Sequence, residues 1–386
     1  MIAAPLARAE PGGIGHGEAP AVRRLTLKDF RNYARLELDL GPGPVVLVGE
    51  NGAGKTNLLE AVSLLAPGRG LRRARLSELD REGAGPWRLE ARVDGPLGLT
   101  DLASAPAEDG ERRVVECRGA PLRSQNELAD MLSLVWLTPA MDRLFLEGAS
   151  GRRRFLDRLV LAIDPRHAAR ASTYERLLRE RSHLLRLGRH DAAWLRALER
   201  KIAEAGVAIA AARNELVRDL KVALDQVSDV FPRPRLAVEG EVEGWLPAVP
   251  ALEAEERFAA LLAATRAADA ETGGAAVGPH RSDLAVADDR TGEPAARCST
   301  GRQKALLVSI VLAQAALRRR RFGDLPVLLL DEVAAHLDER RRAELLQSLD
   351  GLGAQCWLTG TDAAFFAPLR GRAQMFHVSN GTLAQQ

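Results

Sequence analysis

Apolar and polar residues alternate in short stretches near the N-terminus, which is the pattern of half-buried β-strands. Residues 22–40 follow this alternation on both sides of Arg31-Asn32. The pattern predicts two strands joined by a turn at those two residues. Further strand-like alternation occurs within residues 86–117.

Two short apolar runs without alternation, 45–48 and 327–330, predict buried central strands. Residues 355–359 are a third strand candidate. A helix is predicted after the first run, at 56–65, and another after the second run, at 340–349. Both ends of the chain therefore have mixed α/β character.

The middle of the chain is rich in Ala, Leu, Arg and Glu and poor in strand formers. We predict helices at 151–163, 166–187, 191–230, 251–270 and 303–321, with a short β-like segment at 235–246. The heptad pattern is too irregular for a long coiled coil. The helices before residue 270 are therefore expected to pack on each other as a compact arm.

The composition is that of a globular protein. The 386 residues are 46% hydrophobic, and 54 Lys and Arg nearly balance 52 Asp and Glu, giving a net charge of +2. This balance argues against binding nucleic acid by bulk charge but leaves room for a local basic face. No stretch has the length of a membrane span, and the first residues predict a flexible tail rather than a signal peptide. Three widely separated cysteines indicate a reduced, cytoplasmic protein without a zinc site.

An eight-residue loop after the first apolar run matches the pattern G-x-x-x-x-G-K-[ST] in full. Its residues are Gly49, Glu50, Asn51, Gly52, Ala53, Gly54, Lys55 and Thr56. Its glycines let backbone N–H groups turn around phosphate oxygens, and the following helix points its positive end there. Lys55 can then reach the β- and γ-phosphates, and the Thr56 hydroxyl can bind Mg²⁺. A chance glycine loop is the alternative, and the flanking strand and helix disfavour it.

Two carboxylates follow the second apolar run. Asp331 can hold the magnesium ion directly or through water. Glu332 is placed to activate the attacking water as a general base. A strand followed by an acidic turn is common by itself, but together with the loop at 49–56 it predicts a nucleotide site with Mg²⁺.

A third motif indicates the subclass. Residues 298–304 look like the signature loop of ABC-type ATPases, whose Ser and Gly bind the γ-phosphate of a nucleotide held by another subunit. The resemblance implies ATP as the nucleotide and a trans-phosphate role for Ser299, Gly301 and Lys304. A helix cap is the alternative reading of Ser299, and both can hold. Residues 334–338 resemble the D-loop of the same superfamily, with Asp338 as its acid.

Lys55 and Asp331 are 276 residues apart. This is too long for a compact transporter ATPase and too short for the coiled coil of SMC proteins. We therefore predict an α/β fold: an ABC-type P-loop ATPase head, with a mixed sheet and flanking helices, interrupted by a mainly helical arm. The predicted segments are a flexible tail (1–21), the first half of the head (22–140), the arm (141–275) and the second half of the head (276–386).

In the order of these motifs the chain resembles the RecF family of recombination-mediator ATPases, from about residue 22 to the C-terminus. The resemblance is carried by 30–33 (Phe-Arg-Asn-Tyr), 49–57, 68–72, 152–158 and 278–284, together with the signature and carboxylate segments. It implies that Asn57 belongs to the nucleotide site. Arg302 departs from the family, which usually has Gln or Glu there, and Gln125 is the candidate for a glutamine-loop residue.

The family resemblance also implies a function. It implies ATP-driven homodimerisation on double-stranded DNA at single-strand gaps, weak DNA-stimulated ATP hydrolysis, loading of a recombinase, and partners of the RecO and RecR type. Two other classes stay open: an ATPase that remodels a protein partner without DNA, and a nucleotide-gated DNA clamp in which hydrolysis is incidental. No membrane partner is expected.

Arginines are bunched near the phosphate loop and along the arm. The candidates for gripping DNA phosphates without base readout are Arg69, Arg72, Arg73, Arg152 and Arg153. Solvated helix surface with i,i+4 ion pairs is the alternative for the arm arginines, among them Arg176, Arg179 and Arg181. Aromatic residues are only 4%, which argues against a stacking platform for single strands.

Overall fold

The structure, a computed structural model, describes residues 19–188 and 191–386. Most of the predicted flexible tail, residues 1–18, lies outside the described residues. Within the described part of the chain, no helix is long and apolar enough to cross a membrane.

Strands occupy mainly the two ends of the chain. In chain order they are β1 (Ala21–Phe30), β2 (Tyr33–Asp39), β3 (Val45–Val48), β4 (Arg88–Gly95), β5 (Gly98–Pro106), β6 (Arg113–Cys117), β7 (Ala120–Pro121), β8 (Leu134–Leu137), β9 (Pro234–Glu239), β10 (Asp283–Asp288), β11 (Val327–Leu330), β12 (Cys356–Gly360), β13 (Gln374–Ser379) and β14 (Thr382–Gln385).

Helices dominate the middle of the chain and flank the sheets. They are α1 (Lys55–Ser63), α2 (Ala149–Leu161), α3 (Arg166–Leu187), α4 (Ala192–Ala223), α5 (Glu241–Trp245), α6 (Ala251–Ala264), α7 (Arg266–Thr272), α8 (Thr300–Phe322) and α9 (Glu339–Leu352).

The central sheet has the order β14-β13-β3-β12-β11-β8. Its pairs are parallel except β13 with β14. Every residue of β3, β11 and β12 is buried, which explains why their sequences are apolar without alternation. The structure confirms the strands predicted at 45–48 and 327–330, and it places the third candidate one residue later than predicted.

The second sheet is antiparallel, with the order β2-β1-β4-β5-β6-β7. Strands β1 and β2 form the predicted hairpin, with Phe30 opposite Tyr33, and Arg31 at its turn has a φ of 54°. Helix α1 lies between the two sheets, because Leu58 and Leu59 share one core with residues of β1 and with Val45. The opposite face of the central sheet packs against α2, α8 and α9 in another core.

Helices α3, α4 and α6 form the arm around a core that includes Tyr174, Ile202 and Phe258. Strands β9 and β10 pair antiparallel, so the chain returns to the head beside the point where it left α4. The long helices predicted from the composition of this region are confirmed as elements.

Several predicted bounds in the arm are wrong. The helix predicted to reach residue 230 ends at Ala223, and the segment 235–246 is a strand followed by α5. The helix predicted at 251–270 is broken at Thr265, whose hydroxyl donates to the Asp269 carboxylate (2.8 Å) and also lies 3.3 Å from Leu262 O. Such side-chain bonds compete with the helical ladder.

Candidate functional site

The phosphate loop crosses from the end of β3 to the start of α1. Gly52 and Gly54 have φ values of 84° and 117°, a left-handed region that favours glycine. The Lys55 ammonium folds back over the loop and donates to Gly49 O (2.7 Å) and Glu50 O (2.8 Å). Burial lowers its pKa, while the charges of Glu332 and Asp331 act in the opposite direction. This cation thus lies between the loop and the two carboxylates.

Residues of the first hairpin hold the loop from behind. Asn32 Nδ2 donates to Ala53 O (3.0 Å), and the Tyr33 hydroxyl donates to Gly54 O (3.1 Å). A Cβ at Gly54 would lie 2.5 Å from Asn32 Nδ2, so the contact itself requires glycine there. Asn57, the last predicted residue of the loop, donates to Asn32 Oδ1 at 2.8 Å. The sequence pattern gave 30–33 no mechanical role, and this contact supplies one.

Asp331 meets Thr56 at the end of the central sheet. The hydroxyls of Thr56 (3.0 Å) and Thr359 (2.7 Å) both donate to Asp331 Oδ1. Burial raises the pKa of Asp331, and these two hydrogen bonds oppose the rise. Thr359 was missed in the sequence because it lies on β12, between β3 and β11 in space but distant from both motifs along the chain.

The donor set fits a magnesium ion. Mg²⁺ prefers oxygen ligands, and it commonly takes one or two from the protein and the rest from phosphates and water. Thr56 and Asp331 supply a hydroxyl and a carboxylate oxygen 3.0 Å apart. No group of three or more His, Cys, Asp or Glu side chains suited to a metal occurs among the described residues. The oxygens of Thr56 and Asp331 fit a nucleotide-borne Mg²⁺.

Glu332 has a strained backbone, with φ of 51° and ψ of 24°. Its N–H donates to the Thr359 hydroxyl (2.8 Å), and its carbonyl accepts from Lys304 Nζ (3.2 Å). Non-glycine residues in this conformation are uncommon and persist where surrounding contacts hold them, often at functional sites. The carboxylate predicted to be the general base is therefore carried on a turn fixed from both sides.

Lys304 differs from the other signature residues. It is only 4% exposed, and its ammonium lies 3.5 Å from Asp142 and also contacts Glu332 O. The ammonium is therefore engaged within its own chain, and the trans-phosphate role predicted for Lys304 stays a prediction. Ser299 and Gly301 lie at the accessible start of α8, where Ser299 accepts from Arg302 N at 3.4 Å as a helix cap.

The remaining site predictions have mixed outcomes. The Arg302 side chain pairs with the buried Asp288, so its charge is neutralised within the chain. Asp338 caps α9 by accepting from Arg341 N at 2.8 Å. Both ends of the Gln125 amide bond to Arg113, at 3.0 and 3.2 Å, so this side chain is engaged away from the phosphate loop and is a poor glutamine-loop candidate.

Three of the five candidate DNA arginines make hydrogen bonds or ion pairs within the chain. Arg72 Nη1 donates to Asn57 (2.6 Å) and Glu60 (3.1 Å), and its charge opposes the rise that burial causes in the pKa of Asp331. Arg152 forms a two-bond pair with Asp283, at 2.7 Å in each bond, and Arg153 donates to a backbone carbonyl at 2.6 Å. Because the side chains of Arg152 and Arg153 are engaged by groups of their own chain, they are poor candidates for DNA contacts.

The arm arginines are not one class either. Arg176 and Arg179 form exposed i,i+4 pairs with Glu180 and Glu175, as the solvated-surface alternative predicts. Arg181 fits neither alternative, because it is fully buried with two carboxylates.

Comparisons with known proteins agree with this geometry. The family model described as "RecF/RecN/SMC N terminal domain" matches residues 21–383. The chain is 51% identical to the DNA replication and repair protein RecF of Mesorhizobium japonicum over 368 residues, which is 94% of this chain and 97% of that protein. It is 49% identical to RecF of Rhizobium meliloti over 366 residues, covering 94% and 98% of the two chains.

Solved structures show the same fold. A structure of the recombination mediator protein RecF with ATP, from the RecFOR pathway, superposes with a TM-score of 0.84 at 23% identity, covering 97% of this chain and 100% of the other. An Smc head domain with an extended coiled coil from Pyrococcus furiosus gives 0.56 at 15% identity, covering 95% and 96%. The predicted fold class, an ABC-type ATPase head carrying a helical arm, is confirmed.

Proposed function

We propose that this chain, which belongs to the RecF family of DNA replication and repair proteins, is an ATPase whose nucleotide state controls how tightly it binds duplex DNA. ATP with Mg²⁺ joins two copies of the chain on DNA beside a single-strand gap, and slow, DNA-stimulated hydrolysis releases them. The dimer on DNA then promotes loading of a recombinase. Its energy source is the higher affinity of the closed dimer for ATP than for ADP.

The meeting of Thr56 and Asp331 at the phosphate loop carries this proposal, since their oxygens lie 3.0 Å apart. Bound there, Mg²⁺ would neutralise charge on the β- and γ-phosphates. The residues of the chain do the rest: the loop amides of 49–54 cradle phosphate, Lys55 binds the phosphate oxygens, and Asn32 and Tyr33 keep the loop in shape. Glu332 accepts the proton of the attacking water.

The position of the signature loop supports the proposed dimer. Ser299 and Gly301 lie at the start of α8, where their side-chain and backbone groups are accessible to another chain. A helix N-terminus attracts phosphate, so this end of α8 suits the γ-phosphate of a nucleotide on a second subunit. Asp338, at the start of α9, would face the same junction.

The domain organisation supports this mechanism. We keep 22–140 and 276–386 as two halves of one head, because β8 from the first half pairs with β11 from the second, and 141–275 as the arm. Partners of the RecO and RecR type are proposed because the solved RecF structure belongs to a RecFOR pathway.

Lys55→Ala should abolish ATP binding, because it removes the only lysine in the loop and its charge at the phosphates. Binding of a fluorescent ATP analogue measures this, with Lys221→Ala, an exposed lysine on α4, as the matched control. Native affinity in Lys55→Ala would contradict the nucleotide site.

Glu332→Gln should keep ATP affinity but slow hydrolysis by roughly 10²–10⁴-fold, since a general base is lost. It should accumulate the ATP-bound dimer on duplex DNA, measured by sedimentation. Hydrolysis at the native rate would overturn the assignment of Glu332, and a wild-type chain that stays monomeric with ATP and DNA would overturn the dimer. Turnover measured beside DNA release separates this function from a clamp in which hydrolysis is incidental.

A further inference from the structure

Four arginines crowd together where the loop after α1 meets α2. Arg69 and Arg73 come from the loop, and Arg154 and Arg158 lie one turn apart on α2. Within the described part of the chain, none of these four guanidinium groups has a carboxylate at salt-bridge distance or a side-chain hydrogen bond. This is unusual here, because many other arginines of the chain are paired.

Arg158 is the most enclosed member. Its guanidinium carbon lies 3.2 Å from the ring centre of Trp136, and its Nη1 is buried without a hydrogen-bond partner. Stacking on Trp136 fixes the plane of the guanidinium. A buried charged donor without a partner is costly, and such a group is a candidate for binding an acceptor from outside the chain.

The electrostatics agree. Burial, and then the charge of Arg73, lower the pKa of Arg158. Burial, followed by the charges of Arg154 and Arg69, lowers the pKa of Arg73, and the opposing acid is Glu175. Glu175 is exposed and shared with Arg179 at 3.8 Å. Arg73 is therefore repelled by Arg154 and Arg69, and Arg158 by Arg73, with little compensation.

Arg73 adds a backbone observation. Its φ is 57°, in the left-handed region where non-glycine residues are strained. The chain holds a bulky cation in this conformation, close enough to Arg154 and Arg69 for their charges to act on it. Strain of this kind occurs where a function requires the geometry.

We propose that Arg73, Arg154 and Arg158 form a binding site for a backbone phosphate of duplex DNA. The inference rests on the proposed function, which supplies DNA as the partner, and it places the contact on residues other than Arg152 and Arg153. Phosphate oxygens accept several charge-assisted hydrogen bonds at once, which relieves the mutual repulsion of the cluster. The site reads no base, because a phosphate carries no sequence information.

The site lies one strand away from the magnesium ligand. Trp136, under Arg158, is on β8 and pairs with Leu329 of β11, and Asp331 N donates to Leu137 O at 2.9 Å. A phosphate held by Arg158 therefore rests on the strand that carries the backbone partner of Asp331. We expect DNA stimulation of hydrolysis to weaken together with this contact.

The test uses the full chain with ATP and duplex DNA over a range of salt concentrations. Arg73→Gly removes the cation while fitting the left-handed backbone, so it should not unfold the loop. Arg154→Ala removes an exposed cation from α2. The matched control is Arg257→Ala, an exposed arginine of the arm that is paired with Glu253.

Each cluster variant should bind duplex DNA about tenfold more weakly near 0.1 M salt, with a salt slope reduced by about one phosphate contact. The control should match the wild type, and ATP affinity should be unchanged in all. Native affinity and slope in both cluster variants would overturn the site. Inhibition by millimolar inorganic phosphate, lost in both variants, would instead assign the cluster to free phosphate and overturn the DNA assignment. A wild type that never binds DNA would overturn the proposed function itself.

Discussion

Arginine is used in opposite ways inside the arm and at the junction of the loop after α1 with α2. In the arm, Arg181 and Arg213 are buried and each contacts two carboxylates. At the junction of the loop after α1 with α2, Arg73, Arg154 and Arg158 have no such partner in the described chain. A near-neutral net charge therefore says little about where a polyanion can bind. What matters is which arginines have their acids nearby and which do not.

Arg213 shows what a paired arginine does. It lies on α4 and donates to Asp157 (2.8 and 2.9 Å), to Glu243 (3.3 Å) and to Pro279 O (2.6 Å). These partners belong to α2, to α5 and to the segment that leads back to the head. Hydrogen bonding to His167 and the charge of Arg213 overcome the effect of burial and lower the pKa of Asp157 to about 2. The network fastens the arm to the head.

Arg213→Ala should give the largest loss of stability. It leaves the fully buried Glu243 without its cation and takes one partner from the partly exposed Asp157, which costs about 3–5 kcal/mol in the free energy of unfolding. Urea unfolding of the full chain measures this. Arg257→Ala, from an exposed i,i+4 pair, should change the same quantity by less than about 0.5 kcal/mol. Equal changes in the free energy of unfolding in the two variants would contradict the distinction between buried and exposed arginine pairs.

Arg181→Ala should cost somewhat less, because the damage can stay within the arm. Arg181 binds Glu199 (3.0 Å), Asp269 (2.8 Å) and Leu262 O (2.6 Å). Loss of these bonds should reduce hydrogen-exchange protection in α3, α4 and α7 while ATP affinity stays native. If hydrogen-exchange protection fell equally in the central sheet, the arm and the head would unfold as one cooperative unit. The role of Arg181 would then not be confined to the arm.

The parts predicted from the sequence are those with local causes. The loop at 49–56 and the strands at 45–48 and 327–330 carry their signals in consecutive residues, through glycine conformations and apolar runs. Thr359 and Asn32 carried no such signal, because they meet the loop only after β12 and the first hairpin are in place. Their roles depend on the order of strands in space.

Arginine partners are long-range for the same reason. Asp283 is 131 positions from Arg152 and Asp269 is 88 from Arg181, so no local pattern could reveal those pairs. The broken helix at Thr265 also involves a long-range contact, since the Arg181 side chain of α3 donates to Leu262 O just before the break. Local periodicity predicts that an element exists, whereas its ends depend on what packs against them.

Lys304 is an exception to the contrast between paired and unpaired cations. It is buried in the head and paired with Asp142, yet it belongs to the candidate nucleotide site. Its ammonium links α8 to Asp142 and to the carbonyl of Glu332. Lys304→Met should lower kcat roughly tenfold or more, equivalent to about 1.4 kcal/mol, with ATP affinity changed less than about twofold. Lys304→Arg should restore part of kcat, since the charge returns. Steady-state kinetics separate the two quantities. A rise in KM without a fall in kcat would mean that Lys304 acts in nucleotide binding and does not position Glu332.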